Sequence, residues 1–309
     1  MANTQSNYST AFIGAAFVLV SAVAFSSKAV MVKLAYGYHV DAETLLALRM
    51  AFAAPFYLAS AVWLYAVGKV DHLNRRDIGA ILLLGSVGGY LPMWFDFAGL
   101  QYVSAGVERV ILFLYPTMVV IISAVMFGYR IGRLEVAALA ASYVGVALAA
   151  GDDVFAGQAT GHTMLGAVLI FFSAMSYAAY LVASGRMIRK FGAMAFTACI
   201  MLVISLTAAG HYFATPHHVD LTRLPQPVYA IGLLMAVVAT VLPSFLLSAG
   251  IQRVGSNRAA MLGMVGPVST ILLAWVFLGE GVTGLELVGT GLVMVGVLAI
   301  TVRPGAGGA

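Results

Sequence analysis

Five ionisable side chains, Lys28, Arg49, Asp96, Glu108 and Arg109, interrupt runs of sequence that are otherwise almost wholly apolar. A charge held at the centre of a bilayer costs about 3 kcal/mol on insertion scales, so an ionisable residue there is a candidate for ion or proton handling. Asp96, Glu108 and Arg109 are the candidate proton or gate residues. The plainer alternative pairs Asp96 with Arg109 as a structural ion pair across the short turn between two spans. All five fall in the outward third of their spans, and the long stems of Lys28 and Arg49 would let their charged ends reach the interface.

The polar chemistry beside these charges is aromatic and hydroxylic. Tyr90, Trp94, Phe97 and Gln101 recur at spacings of four, three and four, which predicts one helical face. Tyr115 and Thr117, Ser173 with Tyr177 and Tyr180, Ser244, and Ser269 with Thr270 fall at similar depth in other spans. Tyr90, Trp94, Tyr115, Thr117, Tyr177, Tyr180, Ser244, Ser269 and Thr270 are the candidate substrate-binding residues, a set suited to a compact, partly apolar organic solute. Four prolines, Pro92, Pro116, Pro243 and Pro267, sit near mid-span. Each lacks an N–H and would free the carbonyl four residues earlier, at Gly88, Leu112, Ala239 and Gly263, for a neighbour, water or a ligand. They are the candidate kink and gating positions. The competing reading makes the prolines packing kinks and the aromatics packing or lipid-facing residues; Trp63, Tyr65 and Trp275, near span ends, read as interfacial belts.

Other chemistries lack their residues. There is no His-Glu-x-x-His pair, "GDDVFA" has two aspartates where a prenyl-diphosphate site needs a third, and no metal cluster, phosphate loop or cofactor motif stands out, so neither enzyme activity nor a cofactor is expected. A phosphate-ester or nucleotide-sugar carrier would need several midplane Lys or Arg residues. Cys199 is the lone cysteine, which excludes an internal disulfide. The expected partners are a small-molecule substrate and the lipid bilayer, not nucleic acid; the oligomeric state is left open.

The elements that position these residues follow from composition. The 309 residues are 62% hydrophobic and 9% charged, with a mean hydropathy of +0.99, far from soluble-domain norms. Apolar runs of about 20 residues predict ten spans at 11–36, 42–67, 77–100, 104–127, 133–150, 162–184, 194–214, 228–251, 257–278 and 284–302. The chain also repeats itself. "YPTMVVIISAVMFGYRIGRLEVAALA" from Tyr115 overlays "GPVSTILLAWVFLGEGVTGLELVGTG" from Gly266 without a gap, matching Pro116 with Pro267, Gly128 with Gly279 and Glu135 with Glu286 at an offset of 151. An offset of 152 aligns Ser21-Ala22 with Ser173-Ala174. Two units result, 1–152 and 153–309, in one all-α membrane domain. Five spans per unit is odd, so the second copy crosses the membrane with inverted topology.

Eleven basic residues (Lys69, Arg75, Arg76, Arg130, Arg133, Arg186, Arg189, Lys190, Arg253, Arg258 and Arg303) lie at one membrane face and three (Lys33, Arg109 and Arg223) at the other, which predicts cytoplasmic termini. Glu135 and Glu286 each open a span and read as caps. Ala137, Ala141, Gly145 and Ala149 predict close packing of span 5, with span 10 as its partner.

Two five-helix repeats, a proline in the fourth helix of each and the junction "LGEGVTGLE", degenerate as "FGYRIGRLE", resemble the EamA-type drug/metabolite transporters along essentially the whole chain, and within them the bacterial aromatic amino acid exporters of the YddG type. Tyr129 stands where the family pattern matches Glu280 with a glutamate. The resemblance implies an alternating-access exporter of amino acids, aromatic ones favoured, in the bacterial inner membrane, with substrate at the midplane between the repeats. With no carboxylate at that depth, facilitated diffusion is expected; proton-coupled export of other metabolites, a phosphate-ester carrier and a structural or lipid-handling membrane protein are the alternatives.

The charge asymmetry is checked by labelling. Cysteines at Asp153 and Val219 are expected to react with an impermeant thiol reagent applied to intact cells, and one at Arg189 to remain unlabelled; labelling at Arg189 reverses the orientation.

Overall fold

The computed structural model describes residues 2–68, 74–128, 132–155, 162–216, 219–254, 259 and 262–301. Lys69, Tyr129, Arg130, Arg258 and Arg303 lie outside them, as do the side chains of Asp152, Asp153 and Arg186. The predicted spans become α1 (Ala2–Tyr36), α2 (Ala42–Ala66), α3 (Arg75–Gly99), α4 (Ala105–Leu112 and Tyr115–Phe127), α5 (Arg133–Phe155), α6 (Thr163–Phe191), α7 (Ala193–Ala214), α8 (Gln226–Val254), α9 (Val265–Leu278) and α10 (Gly284–Thr301). Among the described residues seven helices are long and apolar enough to cross a bilayer, and three shorter apolar ones lie within α5, α9 and α10.

The four prolines distort their helices in two matched ways. In α3 and α8 the helix stays continuous but widens into a π-turn just before the proline, at Leu84–Gly89 and Val237–Val241. Tyr90 N donates to Gly85 O and Leu242 N to Val237 O, five residues back, which relieves the crowding beneath the Pro92 and Pro243 rings. The fourth and ninth spans break instead. The expected single helix over 104–127 stops at Leu112 and restarts at Tyr115, and α9 begins after a turn at Met264. Pro116 and Pro267 therefore fall in the first turn of a new helix, where a missing N–H costs nothing. They are restarts rather than kinks in a continuous rod.

Packing repeats the sequence symmetry. α1 lies on α8 where Gly14 and Gly250 meet, and α6 lies on α3 where Gly166 and Gly99 meet; a Cβ at any of the four would strike the facing helix. Beside these contacts Ser21 Oγ donates to Pro243 O at 2.8 Å and Ser173 Oγ donates to Pro92 O at 2.7 Å. The two bonds are related by the repeat, α1 to α8 as α6 to α3. α5 and α10 form the closest pair, with Gly145 and Gly289 backbone against backbone and Gly296 against Ala138 and Ser142, as small-residue interfaces allow in lipid.

At the start of α2, Asp41 accepts from Thr44 N and Thr44 Oγ1, both at 2.7 Å, and from Val219 N at 3.0 Å. Burial works against its charge, but these bonds outweigh it and hold the carboxyl below its ordinary range. The 219–225 connection is thereby tied to the start of α2.

Two glycines on one helix test the interface. Gly289→Ala is expected to destabilise the detergent-purified protein by about 1 to 3 kcal/mol through overpacking, read as a lower Tm. Gly291→Ala, whose Cβ would meet nothing within 4 Å, is expected to leave Tm unchanged or raise it. Equal effects would mean that α5 and α10 do not touch in the membrane.

Candidate functional site

The first turn of α4 is fixed from both repeats. Ser104 N-caps it, accepting from Val107 N at 3.2 Å, and the Glu280 carboxylate accepts from Ala105 N at 3.1 Å. Negative charge is favourable at a helix start. The carboxylate of Glu286 lies against Gly106, where a side chain would collide with it, while Glu286 N donates to Thr283 Oγ1 at the start of α10. Glu135 accepts from Gly132 N at 2.6 Å, as expected of a cap.

Thus anchored, α4 carries Glu108 inward, where it is 0% exposed. Lys28 of α1 reaches both Glu108, donating to Oε1 at 2.9 Å, and Asp96 of α3. One ammonium serves two carboxylates, and Asp96 Oδ1 and Glu108 Oε2 are buried with no hydrogen-bond partner. The expected Asp96–Arg109 pair does not form: Asp96 turns to Lys28, and Arg109 turns toward α9, where Gly266 leaves room for its guanidinium. Nor does Lys28 extend to the interface, since two carboxylates inside the bundle offer it better partners than headgroups. Arg49 likewise stays inside. It is 4% exposed, donates from Nε to Thr240 Oγ1 at 2.7 Å in the α8 π-turn, and lies over the Phe97 ring at 5.4 Å. Tyr36 donates to Phe97 O at 2.6 Å, so α1, α2, α3, α4 and α8 are cross-linked in one layer.

The aromatic candidates separate into two groups. Tyr90 and Trp94 turn toward α7: the Tyr90 hydroxyl and His211 Nδ1 are 2.5 Å apart, and Trp94 Nε1 donates to Glu43 Oε1 of α2 at 2.8 Å. They line an open cleft of about 550 Å³ between α3 and α7 with Ser86, Thr207 and His211. Phe97, expected on their face, is fully buried beneath Arg49, and Gln101 lies beyond the end of α3. The second group runs from α4 across α6 to α7. Tyr115 meets Tyr177 edge-on at 5.2 Å, Tyr177 stacks on Tyr180 at 6.0 Å, and Tyr180 stacks on Phe196 at 6.5 Å. Tyr180 also packs against Gly88 beneath the α3 π-turn.

The hydroxyl candidates are engaged by their own helices. Thr117 donates to Leu114 O at 2.7 Å, Ser244 to Thr240 O at 2.5 Å, Ser269 to Val265 O at 2.9 Å and Thr270 to Gly266 O at 3.2 Å. Thr117 and Thr270 are 0% exposed, so in this conformation they serve the helix breaks. The sequence reading missed Glu43, His211 and Thr240. A glutamate in the first turn of α2 looks like a helix-start charge, and nothing in the chain reveals that Trp94 reaches it. Among the described residues no group of His, Cys, Asp and Glu could hold a metal ion.

Comparison with known proteins gives a consistent picture. The model of the EamA-like transporter family matches residues 12–151 and again 164–302. "Uncharacterized transporter YcbK" of Bacillus subtilis (strain 168) is 31% identical over 299 residues, covering 94% of this chain and 93% of its own. "Uncharacterized inner membrane transporter YicL" of Salmonella typhimurium is 26% identical, covering 74% of each chain. A solved crystal structure overlays 96% of this chain and 98% of its own at a TM-score of 0.61 with 17% identity, a likeness of fold alone.

The shared lysine makes a sharp expectation. Lys28→Met leaves two buried carboxylates without their cation, a loss of about 3 to 5 kcal/mol for a broken buried pair. Lys28→Met combined with Glu108→Gln removes one of those charges and is expected to recover part of the Tm. A double variant no more stable than Lys28→Met would show that Lys28 does not compensate Glu108.

Proposed function

The chain belongs to the EamA-like transporter family, and from that premise we propose that it is an alternating-access exporter of amino acids, aromatic ones favoured, with the substrate held between the two repeats. The observation that carries this reading is the pair of matched bonds, Ser21 to Pro243 O and Ser173 to Pro92 O, beside the matched π-turns and helix breaks. Two inverted units joined through equivalent contacts can exchange conformations at similar energy, which opens one site to each side in turn. With both termini in the cytoplasm, as the loop charges favour, the Lys28 layer would lie on the outward side of the bundle.

The aromatic preference is supported by the Tyr115, Tyr177 and Tyr180 wall. Tyr177 keeps 36% of its surface open although it is flanked by two tyrosines, as a ring lining a passage would. Tyr90 and Trp94 are already bonded to His211 and Glu43, which favours the tyrosine wall over them as the substrate surface.

Facilitated diffusion down the substrate gradient needs no coupling ion. Proton-coupled export is the second reading, favoured by one observation: Asp96 and Glu108 share a single lysine while each keeps a buried oxygen without a donor, an arrangement that one exchangeable proton would relieve.

Liposomes containing the purified protein decide among these. Tyr177→Ala is expected to slow tryptophan efflux up to roughly tenfold more than alanine efflux, the size of a lost aromatic contact, while Trp94→Ala slows both alike. Equal losses in Tyr177→Ala would remove the tyrosine wall from the pathway. An imposed pH difference that drives tryptophan against its gradient, and fails to do so in Glu108→Gln, selects the proton-coupled reading; no effect of pH difference selects facilitated diffusion.

A further inference from the structure

Arg109 is a cation without an ion-pair partner among the described residues. Lys28 has two carboxylates, whereas Arg109 makes no ion pair and no hydrogen bond among the described residues, and its Nε is buried without a partner. A guanidinium stays protonated in a protein, so neutralisation cannot relieve it. Its neighbour Glu108 does not serve it: Oε1 is taken by Lys28, and Oε2 is itself unpartnered. The Asp96 oxygen left over by Lys28 is unpartnered as well, so three buried polar atoms in this layer lack a hydrogen bond.

The place where the guanidinium lies is specific. It rests against Gly266 at the start of α9, where any side chain would overlap it, and it is within electrostatic reach of the Tyr115 and Tyr177 hydroxyls. Arg109 thus joins the charged layer to the tyrosine wall, at the meeting of α4, α6 and α9.

The duplication supplies an internal control. One repeat length after Arg109 stands Ala260, and after Lys28, Asp96 and Glu108 stand Tyr180, Leu247 and Ala259. The second copy of the fold is built without charges at these positions, so the scaffold does not require them. Resting on the transport reading above, we propose that Arg109 is the subsite for the carboxylate of the substrate, with the adjoining tyrosines taking its aromatic side chain. A planar fork of N–H donors matches a carboxylate bidentately, and Gly266 is the gap that seats it.

The test compares L-tryptophan with tryptamine, which lacks only the carboxylate, in liposomes containing wild type, Arg109→Met, Arg109→Lys and Gly266→Ala. Arg109→Met is expected to lower the tryptophan-to-tryptamine rate ratio by about tenfold to a hundredfold, the range of a hydrogen bond to a charged group. Arg109→Lys keeps the charge but not the fork and should fall between wild type and Arg109→Met. Gly266→Ala, which displaces the guanidinium, should lower the ratio in the same direction. If Arg109→Met does not fold, as judged by Tm and monodispersity, the ratios in Arg109→Lys and Gly266→Ala carry the test. An unchanged ratio, whether both rates fall together or neither does, overturns the carboxylate subsite and leaves the transport reading standing. Wild type that carries neither compound sinks both.

Discussion

Hydrocarbon supplies no hydrogen-bond partners, so each backbone group that a helix releases must be paired inside the bundle. Four prolines in the inner helices make this the governing constraint. At Pro92 and Pro243 the answer is a π-turn, and beside it a serine hydroxyl from the facing helix adds a bond to the proline's own carbonyl. At Pro116 and Pro267 it is a break that moves the proline into a first turn, where its missing N–H needs no partner, and the Thr117 and Thr270 hydroxyls add bonds to the Leu114 and Gly266 carbonyls beside it. These hydroxyls all bond backbone at or beside the irregular stretches. Irregular backbone in turn marks where the helices can bend or separate.

The charged layer obeys the same constraint with larger energies. A buried ion is tolerated when paired, and removing one partner costs more than the pair contributes. Lys28, Asp96 and Glu108 meet this condition incompletely, with two carboxylate oxygens unpartnered, and the half-buried Arg109 has a buried Nε with no partner. A fold selected for stability alone would place apolar residues at these positions, as its own second copy does at Leu247, Ala259 and Ala260. Among the described residues the incompletely paired charges are confined to the first repeat, which gives a symmetric scaffold an asymmetric chemistry.

Much of this was legible in the chain. Ten apolar runs, their repetition at an offset of 151 and the odd number per repeat are properties of linear order, and they determine an inverted two-repeat helical membrane protein of this family. The small-residue stripe of span 5 was enough to indicate a close partner, and α10 lies against it. Asp96, Glu108 and Arg109 stood out because ionisable residues are rare in such segments.

The partners of those residues were not legible. Asp96 and Arg109 are neighbours along the chain, and sequence distance favoured pairing them, but the break after Leu112 and the rotation of α4 that Ser104 and Glu280 impose turn Arg109 toward Gly266 and bring Lys28 to both carboxylates. In the same way a single face through Tyr90, Trp94, Phe97 and Gln101 assumes a regular α-helix that ends later than α3 does. By itself the sequence determined which segments cross the membrane, that they come in two inverted copies and which residues are too polar to be there without a reason. Only the tertiary structure decided which helix each of them faces, because a side chain's direction depends on the local turn and on helix rotation, and both are set by contacts between segments far apart in the chain.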